Sequence, residues 1–184
     1  MEQFSKFYNS WPGTILFALV ITLFVRFYIA QPFIVRGESM EPNFDDGDYL
    51  IVDELSYAVR EPKRGEVVVF HFPKDKKQFF IKRIIGLPGE TVNVYDGRVE
   101  IIKNGETLVL NEDYLDSRYL SYTEPKVFAL NQNEYVVLGD NRASSSDSRS
   151  WGILDEKLIV GRALIRLWPP KTVSIIKTAE STAR

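Results

Sequence analysis

Three short segments of this chain place chemically useful residues at suggestive spacings. The first is Gly37-Glu38-Ser39-Met40-Glu41-Pro42. Glycine permits a tight backbone, and Pro42 stops the residues after it from pairing. A small hydroxyl in such a turn is presentable for nucleophilic attack. A serine that only caps a turn is the commoner outcome, by roughly three to one for so short a motif. The second segment is Phe79-Phe80-Ile81-Lys82-Arg83-Ile84-Ile85. Strand alternation puts Phe80, Lys82 and Ile84 on one face and Phe79, Ile81, Arg83 and Ile85 on the other. Burial of a lysine among apolar neighbours disfavours the ammonium, lowers its pKa from about 10.4 and makes the neutral amine a general base near neutral pH. Arg83 stays protonated and cannot take that role. A lysine snorkelling from a solvated sheet edge is the commoner fate and stays open. The third segment, residues 139–149, reads Gly-Asp-Asn-Arg-Ala-Ser-Ser-Ser-Asp-Ser-Arg. It follows an apolar run and is too rich in donors and acceptors to be a strand. The plain reading is a flexible serine-rich loop. Against it, Asp147 and Arg149 can pair, and Asn141 suits a fixed turn, so a serine hydroxyl there could orient a catalytic amine.

Several chemistries are excluded by absence. The 184 residues contain no cysteine and one histidine, so thiol nucleophiles, disulfides, thiolate sites and multi-histidine zinc sites are ruled out. The net charge of −2 supplies no basic excess for nucleic acid. His71 lies in the apolar strand 67–72, where a lone histidine is more often structural than catalytic. Ser174-Ile175-Ile176-Lys177 matches a Ser-x-x-Lys pattern without its companion Ser-Asp-Asn element and carries little weight.

The elements that must position these residues are mostly strands. Residues 11–30 form a run of 20 with one charge, Arg26, expected to be a retained single transmembrane helix of about 30 Å. After Pro32 the pattern turns to β: runs at 33–35, 49–52, 67–72, 79–85, 91–95, 98–102, 107–110, 134–138 and 158–167. Asp96-Gly97 is a two-residue hairpin turn. This spacing predicts a mainly β, compact antiparallel sheet or barrel-like domain over 31–170 behind the anchor segment 1–30. Residues 111–133 are expected as a loop-rich insertion and 171–184 as a polar tail.

Taken together, the segments resemble the type I signal peptidases, membrane-bound proteases that remove secretory signal peptides. Ser39-Met40-Glu41-Pro42 is similar to the family's nucleophile box. Arg64-Gly65-Glu66-Val67-Val68-Val69-Phe70, closing with Pro73, is similar to its next strand box. Lys82-Arg83-Ile84-Ile85-Gly86-Leu87-Pro88-Gly89-Glu90 is similar to the lysine box, and residues 139–149 to the last box. The four occur in the family's order over residues 10–170. The resemblance implies Ser39 as nucleophile, Lys82 as general base, Ser145 as the hydroxyl that positions the lysine, and Asp147 and Arg149 as residues that hold the loop. It implies that Phe33, Val35, Met40, Val69 and Ile81 line shallow pockets for the small residues of an Ala-x-Ala site. It implies no cofactor and no metal.

The same resemblance implies a monomer whose partners are preprotein signal peptides and the lipid bilayer. The catalytic domain would face outward from a plasma membrane or lie at a thylakoid membrane. Two positions depart from the family pattern. Gly37 stands where many bacterial members place an oxyanion-hole serine, and Asn43 where a threonine is common. Three competing readings remain: a self-cleaving Ser-Lys repressor of the LexA type, a non-catalytic membrane-tethered β scaffold, and a histidine-dependent hydrolase.

Overall fold

The computed structural model describes residues 11–28, 30–121 and 124–179. Helix α1 spans Trp11–Tyr28, and twelve strands follow: β1 Ala30–Ile34, β2 Tyr49–Asp53, β3 Val67–Phe72, β4 Asp75–Gly86, β5 Thr91–Tyr95, β6 Arg98–Lys103, β7 Glu106–Val109, β8 Lys126–Ala129, β9 Glu134–Leu138, β10 Leu154–Asp155, β11 Ile159–Trp168 and β12 Ser174–Ile175. Two one-turn helices, α2 Ser56–Val59 and α3 Ser148–Trp151, interrupt them. The larger sheet runs β1-β2-β11-β3-β4-β9-β10, with β12 on β11, and the smaller runs β7-β6-β5-β8. Every pairing is antiparallel.

The continuous apolar run of β3 follows from burial on both of its faces. Val67 and Val69 pack with Val35, Met40, Phe44, Leu50, Val52 and Ile81. Val68 and Phe70 pack on the opposite side with Ile84, Tyr135, Val137 and Leu154. A third cluster joins the sheets, with Ile85, Val136 and Leu138 against Val92, Val94, Val99 and Ile101. The Asp96-Gly97 hairpin closes with both residues at positive φ, 46° and 71°, the backbone that a two-residue turn between twisted strands requires.

The N-terminal run is helical over the part that is described. Helix α1 has 18 residues, roughly 27 Å at 1.5 Å per residue, and Ala30 opens β1 instead of extending it. Among the described residues, no helix is long and apolar enough to cross a membrane. Residues 1–10 and 29 of the expected anchor segment lie outside the described residues. Trp11, Ile15, Leu16, Phe17, Leu19 and Val20 of this helix are exposed.

Two further segments carry more structure than their composition suggests. Residues 111–133 include β8, which adds to the edge of β5, and a turn of 3-10 helix at Ser117–Tyr119. The expected tail is docked as far as Ala179. Strand β12 pairs with β11, and the Ala179 N–H donates to the Gly65 carbonyl. Gly65 sits at φ +83°, and a Cβ there would stand 2.1 Å from the Ala179 oxygen, so only glycine lets the tail lie down.

Candidate active site

Strand β4 carries the lysine. It pairs with β3 through Val68↔Lys82 and Val69↔Ile81, whereas its pairing with β9 begins only at Arg83. The other edge of β4 is therefore open beside Lys82, and the amine reaches the rim of a cleft while its stem stays in the sheet. Ser39 lies in the turn between β1 and β2. The turn is closed by Asn43 and Phe44 amides donating to the Met40 carbonyl and by the Gly37 N–H donating to the Asp46 carboxylate.

These two remote segments meet. Lys82 Nζ lies 2.6 Å from Ser39 Oγ and 2.7 Å from the Ile81 carbonyl oxygen. The lysine is 3% exposed, and its Nζ sits 5.5 Å from the Phe80 ring centroid. Burial pushes its pKa from the ordinary 10.5 down to about 8, while the carboxylates of Asp147 and Asp140 oppose the fall. The amine is thus largely desolvated yet close enough to acidic groups to remain titratable near neutral pH. The Ser39 N–H meets no acceptor among the described residues, which leaves a free donor beside the hydroxyl.

The loop after β9 locks this pair in place. Asp147 is fully buried. Burial alone would raise its carboxyl, but hydrogen bonds and charge from Arg149 outweigh that, and it stays below the usual carboxylate range. Arg149 donates to both Asp147 oxygens, at 2.8 and 2.7 Å, and the Gly139 N–H donates to one of them at 3.0 Å. Ser145 Oγ is buried and completes no hydrogen bond of full geometry, yet it stands close enough to Asp147 to favour the carboxylate, a loose contact. It is not among the hydrogen-bond partners of Lys82, whose amine is directed instead by the Ile81 carbonyl. Gly139 explains the crowding. A Cβ there would fall 2.2 Å from Ser145 Oγ and 2.5 Å from the Ser39 carbonyl oxygen.

A cleft of about 350 Å³ opens at the pair. Phe33, Val35, Val69 and Ile81 line it, with Arg36, Gln78 and Ser146 as polar additions. Met40 does not line it. The side chain is 0% exposed and packs in the core cluster behind the cleft. His71 lies on the neighbouring hairpin, its Nδ1 2.7 Å from the Lys76 oxygen and its ring 4.5 Å from that of Phe79. Among the described residues no cluster of His, Cys, Asp or Glu could hold a metal ion.

Sequence reasoning missed the layer that supports the site. Arg83 Nε donates to Asp140 at 2.8 Å, and Asn43 Nδ2 donates to Asp140 at 2.9 Å and to the Tyr114 carbonyl at 3.0 Å. Arg142 pairs with Glu112, and the Arg83 guanidinium lies 4.2 Å from the Tyr114 ring centroid. Asn43, noted only as a departure, is the residue that ties the serine turn to this network. Glu112 and Tyr114 come from the segment expected to be a loop-rich insertion, where no periodic pattern marks them.

Comparison with known proteins identifies the family. Residues 8–168 match the signal peptidase family, peptidase S26. A signal peptidase I of Leptolyngbya laminosa is 42% identical over 164 residues, 85% of this chain and 77% of that protein. A probable signal peptidase I-2 of Synechocystis is 39% identical over 178 residues, 91% of this chain and 78% of that protein. A solved signal peptidase I of Enterococcus faecalis is 35% identical, with a TM-score of 0.47 over 56% of this chain and 97% of that one. With a family match across most of its length, this chain belongs to the signal peptidases of the S26 type, serine peptidases.

Proposed function

We propose that this protein cleaves signal peptides from exported preproteins after small residues, with Ser39 as nucleophile and Lys82 as general base. The observation that carries the reading is the 2.6 Å contact between the Ser39 hydroxyl and an amine that burial holds near pKa 8. Neutral Lys82 takes the Ser39 proton as Oγ bonds to the scissile carbonyl carbon. The developing oxyanion is met by the free Ser39 N–H. On collapse, the protonated amine gives its proton to the leaving amide nitrogen, and the C–N bond breaks. Water then loses a proton to Lys82, attacks the acyl-enzyme, and Ser39 departs with that proton restored. An ammonium has three donors. Ser39 and Ile81 take two, and the proposed acceptor of the third is the Ser145 hydroxyl beside Asp147.

The cleft supports specificity for an Ala-x-Ala site. The outer edges of β1 and of β4 at Phe80–Lys82 are unpaired among the described residues, and both border the cleft. An extended peptide added there would turn every second side chain toward the apolar wall of Phe33, Val35, Val69 and Ile81, where small residues fit best. The exposed apolar face of α1 suits a bilayer tether, with the catalytic domain on the outer side of a plasma membrane or at a thylakoid membrane. The test is the pH–rate profile on an Ala-x-Ala peptide. kcat/KM should rise with pH and level off above about 8, because only about a tenth of the amine is neutral at pH 7. Lys82→Ala should abolish cleavage, and a fully active Lys82→Ala enzyme would refute the dyad.

A further inference from the structure

Asn141 holds both peptide groups that flank the nucleophile. Its side-chain Nδ2 donates to the Glu38 carbonyl at 3.1 Å, and its backbone N–H donates to the Ser39 carbonyl at 3.1 Å. Its Oδ1 accepts from the Ser144 N–H at 3.0 Å, which fixes the amide's orientation, since a flipped side chain would set oxygen against oxygen and NH₂ against N–H. The residue is 5% exposed, so these bonds are shielded from competing water.

The consequence follows from peptide planarity. The bond between Glu38 and Ser39 is not among the cis bonds of the chain, so its carbonyl and its N–H point in opposite directions. The Glu38 oxygen also accepts from the Glu41 N–H at 3.2 Å within the turn, and the Asn141 amide adds the bond from outside it; together they aim the Ser39 N–H away from Asn141, where no acceptor among the described residues competes. The neighbouring Asp140 is gripped by Arg83, the residue next to Lys82, and by Asn43 at the end of the serine turn. The clamp is therefore referenced to the strand that carries the amine. Gly37 lacks a side chain and sits at φ +82°, so no hydroxyl at that position shares the work.

The geometry points to Asn141 as a positioning residue that orients the Ser39 N–H as the oxyanion donor. It acts on the transition state and not on substrate binding, and this role rests on the peptidase reading above. Two variants of the full chain in detergent test it with an Ala-x-Ala peptide and a peptide boronate of the same sequence as a tetrahedral mimic. Asn141→Leu keeps the shape and removes the donor. Asn141→Asp keeps the acceptor for Ser144 and sets an oxygen against the Glu38 carbonyl, so it serves if the leucine variant fails to fold.

On the plateau of the pH profile, kcat should fall about 10- to 100-fold, a fraction of what deletion of an oxyanion donor costs. Boronate affinity should fall by the same factor and KM should change by less than about twofold. The acid limb of the leucine variant should stay near that of the parent, since Lys82 is untouched. A folded variant with kcat within about threefold of the parent, or one that loses KM and kcat together while boronate affinity is spared, would overturn the role. A parent that leaves the peptide uncut would defeat the peptidase reading itself. A parent that cuts it, beside unimpaired variants, defeats only the role of Asn141.

Discussion

Replacing Lys82 with methionine should make the protein less sensitive to pH even as it destroys activity. The folded amine titrates near 8 and a free one near 10.5. Below about 8 both the folded and unfolded chains bind the proton, and the folded state bears the whole cost of a buried ammonium. Between the two values the unfolded chain binds a proton that the folded chain has shed, so stability rises with pH through that window. Above about 10.5 neither binds it. At ~1.4 kcal/mol per pH unit, the rise is about 3 kcal/mol. Methionine fills a similar volume and removes the cost, but it forfeits the hydrogen bonds to Ser39 Oγ and the Ile81 carbonyl, each worth about 1 kcal/mol.

The variant should thus exceed the parent by about 1 kcal/mol at pH 7 and trail it by about 2 kcal/mol at pH 11. Urea unfolding of both proteins, followed by the fluorescence of the three tryptophans, measures the difference at each pH and cancels every other titrating group. Parallel stability curves for the two proteins from pH 7 to 11 would show that the amine is not shifted, and the mechanism would lose its base.

Other outcomes are equally definite. Gly139→Ala should cut activity about 10- to 100-fold, because overpacking by one methyl costs about 1–3 kcal/mol and the new Cβ would press on Ser145 and the Ser39 carbonyl; peptide turnover measured beside the unfolding midpoint checks this. Asp140→Asn should destabilise the fold by about 3–5 kcal/mol, since it strands the buried Arg83 charge, as denaturant titration would read. His71→Ala should turn over the peptide at nearly the parent rate, because the ring is occupied by Lys76 and Phe79 away from the hydroxyl.

Much of this protein is legible along the chain because its code is local. The alternation in 79–85 separates Ile81 and Ile84 into different core clusters, as a period of two requires. The Asp96-Gly97 turn and the doubly buried β3 run are local signals of the same kind. The four boxes also single out Ser39 and Lys82 as candidates, since their types and order survive without any fold. The helix boundary was less legible: propensity extends the apolar run to Ala30, whereas pairing with Asp53 claims that residue for β1. Strand β8 was missed because Lys126–Ala129 has too few residues to show a period, and only the open edge of β5 makes it a strand.

What tertiary structure alone decided is distance and desolvation. Ser39 and Lys82 are 43 positions apart, and nothing local brings their side chains to 2.6 Å. The lysine's titration near neutrality comes from the walls that β3, Phe80 and the loop after β9 build around it, a property of the assembled sheet and not of any segment. Asn141 shows the same division. Its type suggested a turn, but its grip on the two peptides around Ser39 spans about a hundred residues of chain and exists only once the strands have paired.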